Sequence, residues 1–398
     1  WVPINNGLSG FPPTSILPSE DAVLLSTYGG GVYITFDNGN NWDDYNGDLP
    51  NLFVNDLRSH IGLLVATDAG PFATYDGTNY SDCTGSGLTF TDINFFTFGN
   101  EGITGEFMVG TEGGGLFAGD HTSPWIMVWT PTSTGLSGNA LFVNDGVGAN
   151  GSFALIATEN GAYRAMPGAT EWTEVNNGLS GDALKIKRIS GFGASSLIIA
   201  THGGLYYSSN IGDTWTELIP DEKLNTVFVH ECDIYPDDMA IYTFGENGYF
   251  TFDFISWTQI DFGGISGEVT AAQVDSTYLY LGFTTSKKNG GGIYRKPIQQ
   301  VVSIEEPSIK QFKARLHQNN PNPFDGNTTI SYTIPGSEHV VLRVLDITGK
   351  ECQILVDEIQ NKGTHMLQFE ATRFEAGVYF YSLQVGNNIQ ETRKMVIH

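Results

Sequence analysis

A chain of 398 residues with 44 Asp/Glu against 19 Lys/Arg carries a formal net charge of −25. That excess of acid repels phosphate, which argues against nucleic acid and anionic lipid as partners, and no apolar run is long enough to span a bilayer as a helix. Forty-nine glycines and 12% aromatics point to short strands joined by many turns. The first residue is Trp1, without an initiator methionine or signal peptide ahead of it, which reads as a processed polypeptide.

Along the chain an apolar run, a Gly-rich turn and a second run with an aromatic recur seven times. The copies are Leu24–Tyr33, Leu64–Ala73, Phe107–Phe117, Leu155–Arg164, Ile198–Tyr207, Ile241–Phe250 and Leu281–Arg295. Each predicts two short strands and a tight turn, because Gly supplies the positive φ that the turn needs. A second mark keeps the same beat, an aromatic opening a further strand at Trp1, Trp42, Tyr80, Trp129, Trp172, Trp215 and Trp257. All-strand repeats of roughly 43 residues predict propeller blades. Trp1–Ile4 has no hairpin before it, and the hairpin that ends near Ile298 has no aromatic strand after it. A ring in which residues 1–5 lie beside the strands of 263–298 removes both open edges. The expected fold is therefore all-β: a seven-bladed β-propeller over 1–298 closed by the N-terminal strand, a polar linker over 299–313, and an Ig-like β-sandwich over 314–398.

Ahead of two of these aromatics stands the pattern S/T-x-D-x-G-x-x-W. Thr35, Asp37, Gly39 and Trp42 fit it, and Ser208, Asn210, Gly212 and Trp215 fit it with Asn for Asp. The short polar side chain is expected to accept bonds from the turn's own N–H groups, with Gly in the left-handed region and Trp packed between blades. The pattern resembles the Asp-box of sialidase-like BNR propellers, a group that includes sialidases, xyloglucan hydrolases and sortilin-like receptors. That resemblance implies that the boxes are folding elements, remote from any active site. The Arg164–Trp172 stretch is a degenerate copy, and the other repeats read as having lost the pattern.

No catalytic set stands out. A sialidase-like site needs three arginines on a carboxylate, and residues 1–298 hold only Arg58, Arg164, Arg188 and Arg295. Arg164 and Arg295 occupy the same place in their repeats, which points to a shared structural slot. Glycosidases need two carboxylates about 5–10 Å apart, and nothing in the sequence singles out a pair. Asp56 and Asp145 sit in the repeated pentapeptide LFVND (Leu52–Asp56 and Leu141–Asp145), and that recurrence reads as a fold role. Xyloglucan hydrolases of the resembling group use two propellers facing a cleft, whereas this chain has one. His230, Glu231, Cys232 and Asp233, followed by Asp237 and Asp238, would place His230 and Cys232 on one strand face, but two ligands make a weak zinc site. Cys83, Cys232 and Cys352 are odd in number and read as free thiols. No metal site and no cofactor are expected, with Ca²⁺ at the acidic turns the one exception to test.

Beyond residue 313, alternating runs at Thr328–Thr333, Val340–Leu345, Ile354–Val356, His365–Phe369, Val378–Val385 and Thr392–Ile397 predict the sandwich. Five segments there, Leu316–Phe324 (LHQNNPNPF), Asn327–Pro335, Val344–Lys350, Gly377–Leu383 and Arg393–Ile397, resemble in order and spacing the type A sorting domain of the bacterial type IX secretion system. The motif residues are Asn320, Pro321, Asn322, Pro323, Phe324, Gly349, Lys350, Gly377, Tyr379 and Lys394. The resemblance implies contact with the type IX machinery, export through the outer membrane, and release or attachment at the cell surface.

The expected function is that of a secreted, non-catalytic protein whose propeller is a binding or structural platform. One alternative is an extracellular glycoside hydrolase acting on polysaccharide, which would show two carboxylates across an open groove beside exposed aromatics. The other is a receptor-like binder of peptide or glycan. Open sandwich edges can pair with other chains, so a head-to-tail homo-oligomer or filament is a further expectation, with the sandwich against a neighbour's propeller.

Overall fold

A computed structural model describes the chain except residues 20, 61, 99–106, 124–125, 150–152, 193–194, 232–238, 253–255, 285–290, 302–313, 320, 335–337, 362 and 387. Its contacts divide the chain into two units, Trp1–Val302 and Ser303–His398.

Among the described residues, the first unit holds seven four-stranded antiparallel sheets. Six of them run in simple chain order, over 13–44, 54–82, 93–131, 143–174, 186–220 and 224–259. The second strands are apolar at consecutive positions: every residue of Leu63–Thr67 and Phe153–Thr158 is buried. Such strands are covered on both faces by neighbouring sheets, so the usual in-and-out alternation is lost. The outermost strand is often a mere two residues, as at Asp43–Asp44 and Ser81–Asp82, and is exposed.

The seventh sheet takes three strands from 268–297 and its outermost from the other end of the unit. Val2 pairs with Arg295 and Pro3 with Tyr294, and the Asn5 side chain accepts from the Ile293 N–H at 2.7 Å. This is the pairing that the offset between the two repeat marks predicts. The first strand of each sheet neighbours the first strand of the next, and Glu268–Val274 neighbours Pro13–Pro18, so the seven form a closed circle.

One device fastens these strands to one another. Each first strand has a bulge one or two residues after its start, at Thr14, Asn55, Asn94, Asn144, Lys187, Asn225 and Thr270. A bulge frees one residue from the ladder and re-aims its side chain. Six of the seven aim it at a backbone carbonyl of the following sheet: Thr14 at Val54, Asn55 at Ile93, Asn94 at Val143, Asn144 at Ile186, Asn225 at Val269 and Thr270 at Pro13. Lys187 holds the remaining slot and pairs with Glu159 instead.

The periodic aromatics make a second set of links nearer the outside. Their N–H or O–H groups donate across sheets: Trp1 to Asp261 O, Trp42 to Ile4 O, Tyr80 to Tyr45 O, Trp129 to Cys83 O, Trp172 to Thr132 O and Trp215 to Val175 O, all at 2.6–2.9 Å. Glycine permits the approach. A Cβ on Gly178 would overlap the Trp215 carbonyl oxygen, and Gly178 takes φ +101°. Trp257 breaks the series, because its Nε1 is buried without a partner among the described residues.

A single helical turn, Ile298–Val301, ends the first unit. Ile298 and Val301 are buried with Leu279, Leu281 and Phe283, so this unit runs past residue 298. Most of the segment expected to be a linker, 302–313, lies outside the described residues.

The second unit has two sheets. One has three strands in the order Arg315–Leu316, Asn327–Ile334, Gly363–Glu370; the other has four, in the order Glu351–Gln360, Glu338–Leu345, Gly377–Val385, Asn388–Ile397. Leu316, Ile330, Leu342, Tyr381, Leu383 and Met395 belong to its buried core.

Candidate functional site

The patterned turns engage two of the four arginines of residues 1–298. In Thr35–Trp42 the Thr35 hydroxyl donates to Asp37 Oδ1 (2.8 Å) and accepts from Gly39 N–H (2.9 Å), while Asp37 Oδ1 also accepts from Asn41 N–H (2.9 Å). These donors, Asn41 N–H foremost, hold the Asp37 carboxyl at about 2. Ser208, Asn210, Gly212 and Thr214 repeat the arrangement at 2.8–3.0 Å. A third copy exists where the sequence read as having lost the pattern. Thr74 accepts from Gly77 N–H, and Asp76 accepts from Thr78 and Asn79 N–H. It is one residue shorter between Asp and Gly, and Tyr80 replaces Trp; the signal was Thr-x-Asp-Gly rather than the full spacing.

Arg164 and Arg295 do share a slot. Each reaches the turn of the following sheet and donates to the carbonyl of its left-handed residue. Arg164 takes Ile211 O and Asp213, and Arg295 takes Asn38 O and Asn40. Ile211 and Asn38 have φ +57° and +58°, a conformation that costs energy in residues with a Cβ; the guanidinium helps to hold it.

The other two arginines meet the recurring aspartates inside the circle. Asp56 is 0% and Asp145 3% exposed. Arg58 lies 3.3 Å from Asp56 and 3.5 Å from Asp145, Arg188 lies 3.7 Å from Asp145, and Ile189 N–H donates to Asp145. Burial pushes the Asp145 carboxyl up, against the pull of Arg188 and Arg58. Four first strands take part, since Arg58 also donates to Phe96 O.

Polar groups collect at the rim that carries the bulges. Asn55, Asn94 and Asn144 each donate a second bond to an acid on the neighbouring hairpin tip: Asp68, Glu112 and Glu159. Tyr28 donates to Asp68 at 2.8 Å, which raises its own pKa to about 12. Burial, together with the charges of Asp68 and Glu112, raises the Asp92 carboxyl to about 6. Two aromatics stand exposed alongside. Phe53, 46% exposed, meets Tyr28 edge to face at 5.1 Å; Phe90, 48% exposed, covers Gly114 in the hairpin that carries Glu112. Sequence reading missed this rim, although Asn55 and Asn144 share the LFVND pentapeptide and Asp68, Glu112 and Glu159 each follow the Thr of a repeated hairpin; that the two slots meet needs the bulge.

Because the folded Asp92 carboxyl binds its proton more tightly than the ordinary value of 3.8, its contribution to stability is fullest below that value and is lost as pH rises through about 6. Asp92→Asn is therefore expected to stabilise the protein by about 1 kcal/mol at pH 8, after discounting for solvent, and to change nothing near pH 4. Urea midpoints at the two pH values check this.

Of the thiols, Cys83 is buried, which raises its pKa to about 12, and Cys352 is exposed. Cys232, Asp233, Asp237 and Asp238 lie outside the described residues, so the grouping with His230 is not placed.

In the second unit the Pro-Asn-Pro-Phe segment borders the last strand. Asn322 donates to Lys394 O (3.1 Å) and accepts from Val396 N–H (2.8 Å), as a paired strand would. Phe324 N–H donates to Val396 O (3.0 Å), and its ring is buried against Phe369; the Asn322–Pro323 bond is cis. Pro321, Asn322, Pro323, Phe324 and Lys394 are thus brought together, while Asn320 lies outside the described residues. Gly349 (φ +83°) and Lys350 close a separate turn on Asp346. Gly377 starts a strand in which Tyr379 packs on Phe374. Tyr381, not singled out in the sequence, is fully buried and ties Asn319 N–H to His317 O. Asn322→Ala is expected to destabilise this unit by about 2 kcal/mol, with faster amide exchange at Val396 as the readout.

Residues 320–398 match the family described as the secretion system C-terminal sorting domain. The chain therefore carries the sorting tail of a secreted or cell-surface protein. Among the described residues no helix is long and apolar enough to cross a membrane. No curated protein matches the chain. Solved structures similar to it include the extracellular domain of BT4673 from B. thetaiotaomicron (14% identity, TM-score 0.56, covering 100% of this chain and 59% of that one). An ancestral GH74 enzyme (13% identity, TM-score 0.51) covers 100% of this chain and 63% of its own. YCF48 bound to D1 peptide (13% identity, TM-score 0.53) covers 73% and 95%. The chain thus spans 59% of the first of these relatives. At such identities the likeness is one of fold: all-β and propeller-like.

Proposed function

We propose that the chain is a secreted, non-catalytic binding protein. In this reading a seven-bladed β-propeller of the Asp-box kind presents a ligand-binding rim, and an Ig-like sandwich serves export through the type IX machinery. The blade count rests on the closed circle of seven sheets, and kinship with Asp-box propellers rests on the three Thr/Ser–Asp/Asn turns. The observation that supports the non-catalytic reading is that the rim acids Asp68, Glu112 and Glu159 are each held by a hydrogen bond from an Asn of the bulge ring. The arginines are likewise engaged, two in turns and two with buried acids. The reading assigns no Ca²⁺ to the Thr35 turn, since the Asp37 carboxylate accepts from N–H and O–H donors there.

The runner-up is a glycoside hydrolase acting on extracellular polysaccharide. It is favoured by Asp92, which titrates near 6 beside exposed Phe53 and Phe90 and so has the character of a general acid. Incubation with a polysaccharide panel decides between them. Absence of new reducing ends supports binding alone; release that disappears in Asp68→Asn and Asp92→Asn makes the protein an enzyme.

Self-assembly belongs to the same proposal. The strand Glu351–Gln360 is an unpaired sheet edge among the described residues, and it exposes Ile354 and Ile359. Electron microscopy of native material that showed only dispersed monomers would remove the filament.

A further inference from the structure

We propose that the groove between the first and seventh sheets binds a neutral, hydroxyl-rich glycan. It lies where the circle is closed, apart from the rim, so it stands whether or not the rim binds a ligand. The groove measures about 720 Å³ and is lined by Pro18, Ser19 and Asp21, by the Thr35 turn, and by the turn between Glu268–Val274 and Tyr278–Thr284. That volume falls in the range of sites for small ligands and short oligomers.

Three features point to sugar. The first is Phe36, 69% exposed in the groove wall. The equivalent place holds Ser209 in the turn of Ser208 and Tyr75 in that of Thr74, so the turn tolerates an aromatic without requiring one. Phe36 also has no ring partner among the described residues. An electron-rich ring face held open to water suits the C–H face of a pyranose. The second is the polar lining. Asp21, Asn38 and Ser276 line the groove, and their side chains make no hydrogen bond among the described residues. They offer donors and acceptors for hydroxyl groups, while Asp21 repels anionic chains. The third is rigidity. Thr35 and Asp37 fix the Phe36 turn, Arg295 clamps it from the seventh sheet, and Asp275 accepts from Thr277 N–H, Tyr278 N–H and the Tyr280 hydroxyl on the facing wall. A wall fixed before the ligand arrives loses little freedom on binding.

Affinity electrophoresis of the full chain tests the proposal, in gels containing mixed-linkage β-glucan, galactomannan, arabinoxylan or alginate. At least one of the three neutral polysaccharides is expected to retard the protein. Phe36→Ala is expected to weaken that retardation about tenfold, the scale of one lost aromatic stack, with an unchanged melting temperature. Tyr75→Ala changes an exposed aromatic at the same turn position one sheet away, outside the groove, and is expected to bind as the parent does. The proposal is overturned if no neutral polysaccharide retards the protein, if alginate alone does, if Phe36→Ala binds as the parent, or if Tyr75→Ala loses as much.

Discussion

Replacing Asp145 by alanine is expected to destabilise the first unit by about 3–5 kcal/mol. The side chain is 3% exposed; it balances Arg58 and Arg188 and accepts the Ile189 N–H. Removing it leaves Arg188 without its anion, Arg58 with Asp56 alone, and a buried N–H without an acceptor, and it is this uncompensated remainder that costs. A second substitution separates the charge from the cavity. Asp145→Ala with Arg188→Met removes the stranded cation and should recover part of the loss, a coupling that contacting residues show and distant ones do not. Tryptophan fluorescence during urea unfolding reports on this unit alone, since all seven tryptophans lie in 1–302. Simple additivity of the two variants would mean that the buried charges act independently.

Trp215→Ala is the other large loss expected, about 3–5 kcal/mol, from the cavity left among Leu155, Val175, Leu197 and Tyr206. The finer comparison uses phenylalanine. Trp215→Phe keeps most of the apolar bulk but strands Val175 O, whose donor is Trp215 Nε1 at 2.7 Å, and is expected to cost about 1–2 kcal/mol. Trp257→Phe removes an Nε1–H that has no partner among the described residues. It is expected to stay within about 0.5 kcal/mol of the parent or to gain slightly. Equal losses at both positions would show that the cross-sheet bond contributes nothing beyond ring volume.

These two cases also mark what a reader of the bare chain could and could not see. The aromatics were legible because each sits at a fixed interval from a Gly-rich hairpin, and local spacing carries that information. Closure by residues 1–5 was legible for the same reason, as a mismatch between two periodic marks. The charge cluster was half legible: the repeat of LFVND exposed Asp56 and Asp145, but Arg188 follows Lys187 in a repeat that lacks the pentapeptide, so only the fold brings them within reach. The ring of bulge side chains was missed because Thr, Asn and Lys alternate in one slot, and the chemistry they share, a donor aimed at the next carbonyl, is not a residue identity. The rim acids Asp68, Glu112 and Glu159 each follow the Thr of a repeated hairpin and so share a visible slot, whereas Asp92 comes from a strand entry that no spacing ties to them. In the second unit the Asn-Pro-Asn-Pro-Phe run was visible as a string, whereas its work, pairing the edge at Lys394 and Val396, needed the last strand in place.

The bond from Ile293 to Asn5 spans 288 residues. A fastening between opposite ends of the unit cannot form until nearly all of it has been made, and loops of that size close slowly. Nascent chains would therefore carry an unbuckled hoop for most of their synthesis, with two raw sheet margins available to strangers. Cells that make this protein must either hold the unfinished hoop apart from its siblings or make it scarce until the last strand arrives.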